Sequence, residues 1–190
     1  MIFQDYYTTP GVRETCHQIK DGSGRIREEA LIRAAIHLVK EGKINSADYL
    51  IPAPQHTGTA VYTKSLSEKI SILTGAKVLD IVKCRPHAPL YDQKKEGLPF
   101  SLEAEFYLEK TPPKTGTFLF IDNVIATGET FSRINDLFEG KLKPMPYAVD
   151  YTHLTDKKIL TLLREEGNRT VTAPKKESCR PDKKQKGHHR

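Results

Sequence analysis

The residues best equipped for chemistry lie in one run, FLFIDNVIATGET, residues 118–130. Phe118, Leu119, Phe120 and Ile121 are apolar, Asp122 and Asn123 follow, and Val124 and Ile125 lead into Ala126-Thr127-Gly128-Glu129-Thr130. Four apolar residues in a row read as a buried strand that delivers an acid to its C-terminal end. The Thr-Gly-Glu-Thr stretch then opens a helical pattern. A turn of this kind exposes consecutive backbone N–H groups. Gly128 lets the backbone approach a ligand closely, and Thr127 and Thr130 add hydroxyl donors. Such a helix start suits an anion, a phosphate above all. The Asp122 carboxylate suits sugar hydroxyls, which it can accept through both oxygens. An ordinary strand–turn–helix junction with Thr127 as its N-cap would use the same residue types.

Three other segments carry candidate groups. Gln55-His56-Thr57-Gly58-Thr59 stands between an apolar strand and a helical pattern. Lys83 and Arg85 close a second apolar strand, as ligand contacts or as solvated strand-end cations. Lys94-Lys95-Glu96 falls in a long connection, where a charged run is either a solvated face or a source of functional side chains. His87, His153, His188 and His189 show no metal-ligand spacing with acids or cysteines, so no metal site built from protein side chains is expected.

The elements that must position these groups follow from periodicity. Residues 27–43 predict an amphipathic helix with Ala30, Leu31, Ala34 and Leu38 inward, after the turn residues 21–24. Residues 48–53 predict a first strand. Residues 60–73 predict a helix through Tyr62, Leu66, Ile70 and Leu73, stopped by Gly75. Residues 77–83 predict a second strand and 117–121 a third. Residues 129–139 predict a helix with Phe131, Ile134 and Phe138 on one side, stopped by Gly140, 147–151 a fourth strand, and 156–166 a last helix. Strands alternating with helices predict an α/β fold, a twisted parallel sheet with right-handed crossovers and helices on both faces. The connection over residues 84–116 is too long for a plain loop, and its 101–108 part could form a hairpin arm.

Composition narrows the class. A chain of 190 residues accommodates one α/β domain, here expected over residues 1–168. No stretch of apolar residues is long enough to span a membrane, and the first residues lack a signal pattern, so a cytoplasmic location is the expectation. The three cysteines are far apart, which argues against a disulfide framework. The formal charge of +6 sits mostly at one end. From Lys175 to Arg190 there are seven Lys/Arg against two Asp/Glu, so the tail holds +5 and the body +1. Residues 169–190 therefore read as a basic, disordered tail capable of weak, nonspecific polyanion binding. It has no aromatic residue to stack on a base.

The run FLFIDNVIATGET resembles the ribose-5-phosphate loop of the type I phosphoribosyltransferases, in which apolar residues, two acids, a short apolar stretch and Thr-Gly-x-Thr bind phosphoribosyl pyrophosphate. The second acid is Asn123 here, and the Ala126-Thr127-Gly128 stretch looks closest to the adenine-type and competence-type versions. The resemblance implies the fold of that family with a flexible loop or hairpin over the site. It also implies transfer of the phosphoribosyl group to a nitrogenous base or related acceptor with release of pyrophosphate, as in nucleotide salvage. Implied roles follow the motif. Ala126, Thr127, Gly128, Glu129 and Thr130 hold the 5′-phosphate, and Asp122 and Asn123 the ribose. Gln55, His56, Thr57 and Gly58 hold the pyrophosphate, and Lys83, Arg85 and Lys95 act as catalytic cations. Mg²⁺ would be bound mainly through the ligand's own oxygens. Family members that use 6-oxopurines carry an Asp where Ala126 stands, so hypoxanthine and guanine are not the expected acceptors. Because Asn123 contributes no charge, a non-catalytic module that senses phosphoribosyl pyrophosphate or a nucleotide is the alternative. A homodimer is open, and no membrane partner is expected.

Overall fold

The computed structural model of the chain describes residues 3–40, 44, 47–87, 105–154 and 156–168. Its strands are β1 (Gln4–Asp5), β2 (Tyr49–Pro52), β3 (Lys77–Val78), β4 (Val82–Cys84), β5 (Phe106–Leu108), β6 (Phe118–Ile125) and β7 (Leu142–Val149). The helices are α1 (Val12–Asp21), α2 (Gly24–Lys40), α3 (Tyr62–Thr74), α4 (Glu129–Leu137) and α5 (Lys157–Asn168). Five strands make one sheet in the order β1-β7-β6-β2-β3, and every neighbouring pair is parallel. The α/β class and parallel sheet expected from the alternation are therefore what the chain forms. Phe118, Leu119, Phe120 and Ile121 are all buried, because a central parallel strand is covered on both faces.

The strand order locates the functional end of the sheet. From β2 the chain passes through α3 outward to β3. From β6 it passes through α4 to β7, on the opposite side. Right-handed crossovers in opposite directions put α3 and α4 on opposite faces, and the strand order reverses between β2 and β6. Ligands in open α/β sheets sit outside the carboxyl ends of the strands at such a point. The loops after β2 and β6 are the Gln55 and Thr127 segments.

Several expectations needed adjustment. The chain opens with β1 and α1, which periodicity had passed over: α1 buries Val12, Thr15, Cys16 and Ile19 at helical spacing, but two of these four are not strongly apolar. The strand read over residues 77–83 is split. Lys77 and Val78 pair with β2, whereas Val82–Cys84 leaves the sheet and pairs antiparallel with Phe106–Leu108. The fourth strand begins at Leu142, not 147, because Pro144 and Pro146 sit inside it and mask it as a strand by propensity. The helix stops fared better. Gly75 and Gly140 both take left-handed backbone, with φ of 77° and 76°.

Residues 88–104, which include Lys95, and the tail 169–190 lie outside the described residues. Among the described residues no helix is long and apolar enough to cross a membrane.

Candidate functional site

Strand β6 outlasts its neighbour, and that difference makes the site. Pairing of β2 with β6 ends at Pro52 opposite Ile121, with one more bond from Ala53 N to Ile121 O at 3.0 Å. Pro52 and Pro54 then turn the chain away. On the other side β6 stays paired with β7 as far as Ile125 opposite Val149. Asp122 therefore lies inside a strand, beyond the reach of β2, rather than at the strand's end. Its Oδ1 accepts the Asn123 amide at 2.7 Å.

A cleft of about 380 Å³ opens there, roomy enough for a phosphorylated sugar. Ala53, Pro54, Gln55 and His56 border it from the loop after β2, and Asp122, Asn123, Val124 and Thr130 from β6 and the start of α4. Burial pushes the Asp122 carboxyl up to about 7, against opposing bonds from the Asn123 and Val124 amides. The half-buried Tyr62 also borders the cleft. Its hydroxyl is raised by burial and then by the Asp122 and Asp21 carboxylates, while a bond to the Gln55 side chain opposes this.

Alternation along β6 separates Asp122 from Asn123. Asn123 is 7% exposed and its Nδ2 donates to the Cys16 carbonyl of α1 at 3.5 Å, while the Cys16 thiol lies 3.8 Å from Asn123 O. Cys16 itself is pushed up to about 12, first by burial and then by Asp122. The Asn123 amide thus ties α1 to β6. Asn123→Asp would remove the donor and set a carboxylate against a carbonyl. The expected outcome is a loss of about 1–3 kcal/mol, seen as a lower midpoint in urea unfolding at pH 8; an unchanged midpoint would refute this assignment.

The loop after β2 is pinned on several sides. Gln55 N donates to Thr59 O at 3.0 Å and Gly58 N to Gln55 O at 2.9 Å. Gly58 has φ of +112°, and its carbonyl accepts the Cys84 amide at 3.0 Å, so the loop is stitched to β4. His87 N donates to His56 O at 2.9 Å, and the two imidazoles meet edge to face with centroids 6.4 Å apart. Thr57 is exposed and Gly58 is buried, and neither borders the cleft.

The loop after β6 enters α4 through Gly128, whose φ is +83°. Ala126 and Thr127 are exposed, and Thr127 Oγ1 lies 3.4 Å from the Glu129 amide. The first amides of α4 have no carbonyl of their own helix to bond. Glu129 is bridged to Arg133 at 2.9 Å.

The expected cations behave otherwise. Lys83 Nζ is held 2.8 Å from Asp80 Oδ1, and Lys64 stands 3.3 Å from the same carboxylate. Arg85 is paired with Glu105 at 3.0 Å in an exposed position. Neither borders the cleft. Lys20, Asp21, Tyr62, His87 and Phe106 do, and sequence reasoning had assigned none of them. For Lys20 and Asp21 no signal was available once α1 went unread. Tyr62 was read as helix core, and it does pack, partly buried, against the core.

Among the described residues no group of three His, Cys, Asp or Glu could hold a metal ion. No protein-family model matches the chain, and no curated protein matches it.

Proposed function

We propose that this protein binds phosphoribosyl pyrophosphate in the cleft between β2 and β6. In this reading it acts as a type I phosphoribosyltransferase, passing the phosphoribosyl group to a nitrogenous base or related acceptor and releasing pyrophosphate. The observation that carries the reading is that Asp122, Thr130 at the start of α4 and Gln55 and His56 of the pinned loop border one cleft at a reversal of strand order, while residues 126–129 lie beside it without lining it. The first amides of α4 and the Thr127 and Thr130 hydroxyls receive the 5′-phosphate, and Asp122 accepts ribose hydroxyls. Lys20, His56 and His87 border the cleft where negative charge would grow on the departing pyrophosphate. Catalysis of this kind rests on orientation and charge stabilisation, without a covalent nucleophile.

Mg²⁺ held mainly by the ligand's own oxygens suits this cleft, since a cation nearby would relieve the cost of ionising Asp122. When bound through the ligand, the ion supplies charge neutralisation on the pyrophosphate oxygens.

Titration calorimetry with phosphoribosyl pyrophosphate, with and without MgCl₂, tests the reading. Binding by the wild type that is stronger with Mg²⁺, and lost in an Asp122→Ala, Thr130→Ala double variant, is the expected outcome. No binding by the wild type, or binding unchanged in the double variant, would defeat it.

A second reading keeps the ligand and drops the reaction: a sensor of phosphoribosyl pyrophosphate or a nucleotide. It is favoured by the pairing of Lys83 and Arg85 with acids and by the neutral Asn123, which is spent on Cys16. Binding without pyrophosphate release in the presence of a panel of bases would select it.

A further inference from the structure

Asp21 is the last residue of α1 and borders the same cleft as Asp122. Helix stability would not choose an acid there, since a carboxylate at a helix C-terminus faces the negative end of the helix dipole. The turn beyond it is fixed. Gly22 donates its amide to Gln18 O at 3.1 Å, and a Cβ on Gly22 would stand 2.3 Å from that same oxygen. His17, one turn back, places Nδ1 3.5 Å from Asp21 Oδ2, and its Nε2 lies 3.3 Å from the Tyr6 hydroxyl. These contacts are exposed and contribute little to stability.

Asp122 shares its acceptor capacity with the chain's own amide, and Asp21 adds to that capacity at the same cleft. One oxygen of Asp122 already accepts the Asn123 amide, which leaves the other the freer acceptor, and a vicinal diol brings two O–H donors. The neighbouring position that could have supplied a second acceptor is Asn123, whose amide is committed to α1. Among the residues that border the cleft, the other carboxylate is Asp21.

We infer that Asp21 is a substrate-contacting residue that supplies the second carboxylate for the ligand's sugar diol, one hydroxyl going to Asp122 and the other to Asp21. This inference rests on the proposed ligand class, so its test must separate the two. It assigns to α1 a recognition role in addition to covering the sheet.

Three probes serve the purpose with the full chain: phosphoribosyl pyrophosphate with MgCl₂, ribose 5-phosphate, and inorganic phosphate, which has no diol. Asp21→Asn should weaken the two sugar ligands about 10- to 100-fold, the range for losing a charge-assisted hydrogen bond. Inorganic phosphate should bind within about twofold of wild type, and the melting temperature should stay at or above the wild-type value as the dipole penalty is removed. Asp21→Glu should recover part of the lost affinity. Sugar ligands bound as tightly as by wild type would overturn the Asp21 assignment and leave the ligand class standing. So would a parallel loss for phosphate, or a loss accompanied by a lower melting temperature. Failure of the wild type to bind either sugar ligand would overturn both.

Discussion

Asp122→Asn is expected to cost phosphoribosyl pyrophosphate at least about 100-fold in affinity while making the protein more stable at pH 8. The two effects have one origin. The Asp122 side chain is half-buried where it borders the cleft, and burial raises its carboxyl from 3.8 to about 7. Between these values the folded chain holds a proton that the unfolded chain has released. Stability from this group is therefore present at low pH and is lost as pH climbs toward 7. Asn keeps the shape and carries no charge, so the variant lacks that decline. Its advantage at pH 8 should be on the order of 1–3 kcal/mol, moderated because the Asn123 amide already stabilises the charged form. Loss of ligand follows because a desolvated charge that accepts hydroxyls is worth about 2–5 kcal/mol when its partner is removed. Thermal unfolding of both proteins at pH 5 and pH 8, with calorimetry at pH 8, reads both effects. A wild type equally stable at the two pH values, or a variant that binds within threefold of it, would contradict this account.

The same buried carboxyl explains what could be read from sequence and what could not. Phe118 to Ile121 announced a central strand because all four had to be buried, and Asp122 stood out because an acid directly after them is costly unless it is used. The helix α4 and its glycine entry were equally legible, since Phe131 and Ile134 recur at helical spacing. What sequence could not supply was the register of β2 against β6. Only the strand pairing shows that β6 runs on past the end of β2 after Ile121, paired with β7, so that Asp122 and Asn123 face different surroundings. Read as neighbours in a motif they appeared to share a task, yet alternation turns one to the cleft and gives the other to Cys16.

Charge was the least legible property. Lys83 and Arg85 looked available because nothing in a linear reading pairs them, whereas the β4–β5 hairpin brings Glu105 to Arg85 and a local turn brings Asp80 to Lys83. Conversely Lys20 and Asp21 reach the cleft only because α1, a mostly polar stretch, packs along β6 through Cys16. A long-range contact decided the cases of Arg85, Lys20 and Asp21, and a local one that of Lys83. Among the described residues, the lysine or arginine that borders the cleft is thus Lys20 of α1 rather than either strand-end cation.

Gly128→Ala should be the most destabilising single exchange at the site, and its cost can be divided. Gly128 has φ of +83°, where an L side chain is strained by roughly 1–2 kcal/mol. A Cβ there would also stand 2.3 Å from Ile159 Cδ1 and 3.1 Å from Leu154 Cδ1. Both side chains are buried, at 3% exposure each, so they cannot simply swing into solvent. Overpacking of this kind adds about 1–3 kcal/mol. The total, roughly 2–5 kcal/mol, should lower the melting temperature by about 5–15 °C for a chain of this size. The steric part has a specific remedy, because Ile159→Val deletes the atom nearest the new methyl. Alone, Ile159→Val should cost about 0.5–1.5 kcal/mol as a small cavity. Combined with Gly128→Ala it should restore stability relative to the sum of the two single effects by about 1 kcal/mol or more, leaving the backbone strain behind. Urea unfolding of the four proteins in this cycle gives the coupling directly. Strict additivity would mean that α5 does not press on the turn, and that Gly128 is required for its backbone angle alone.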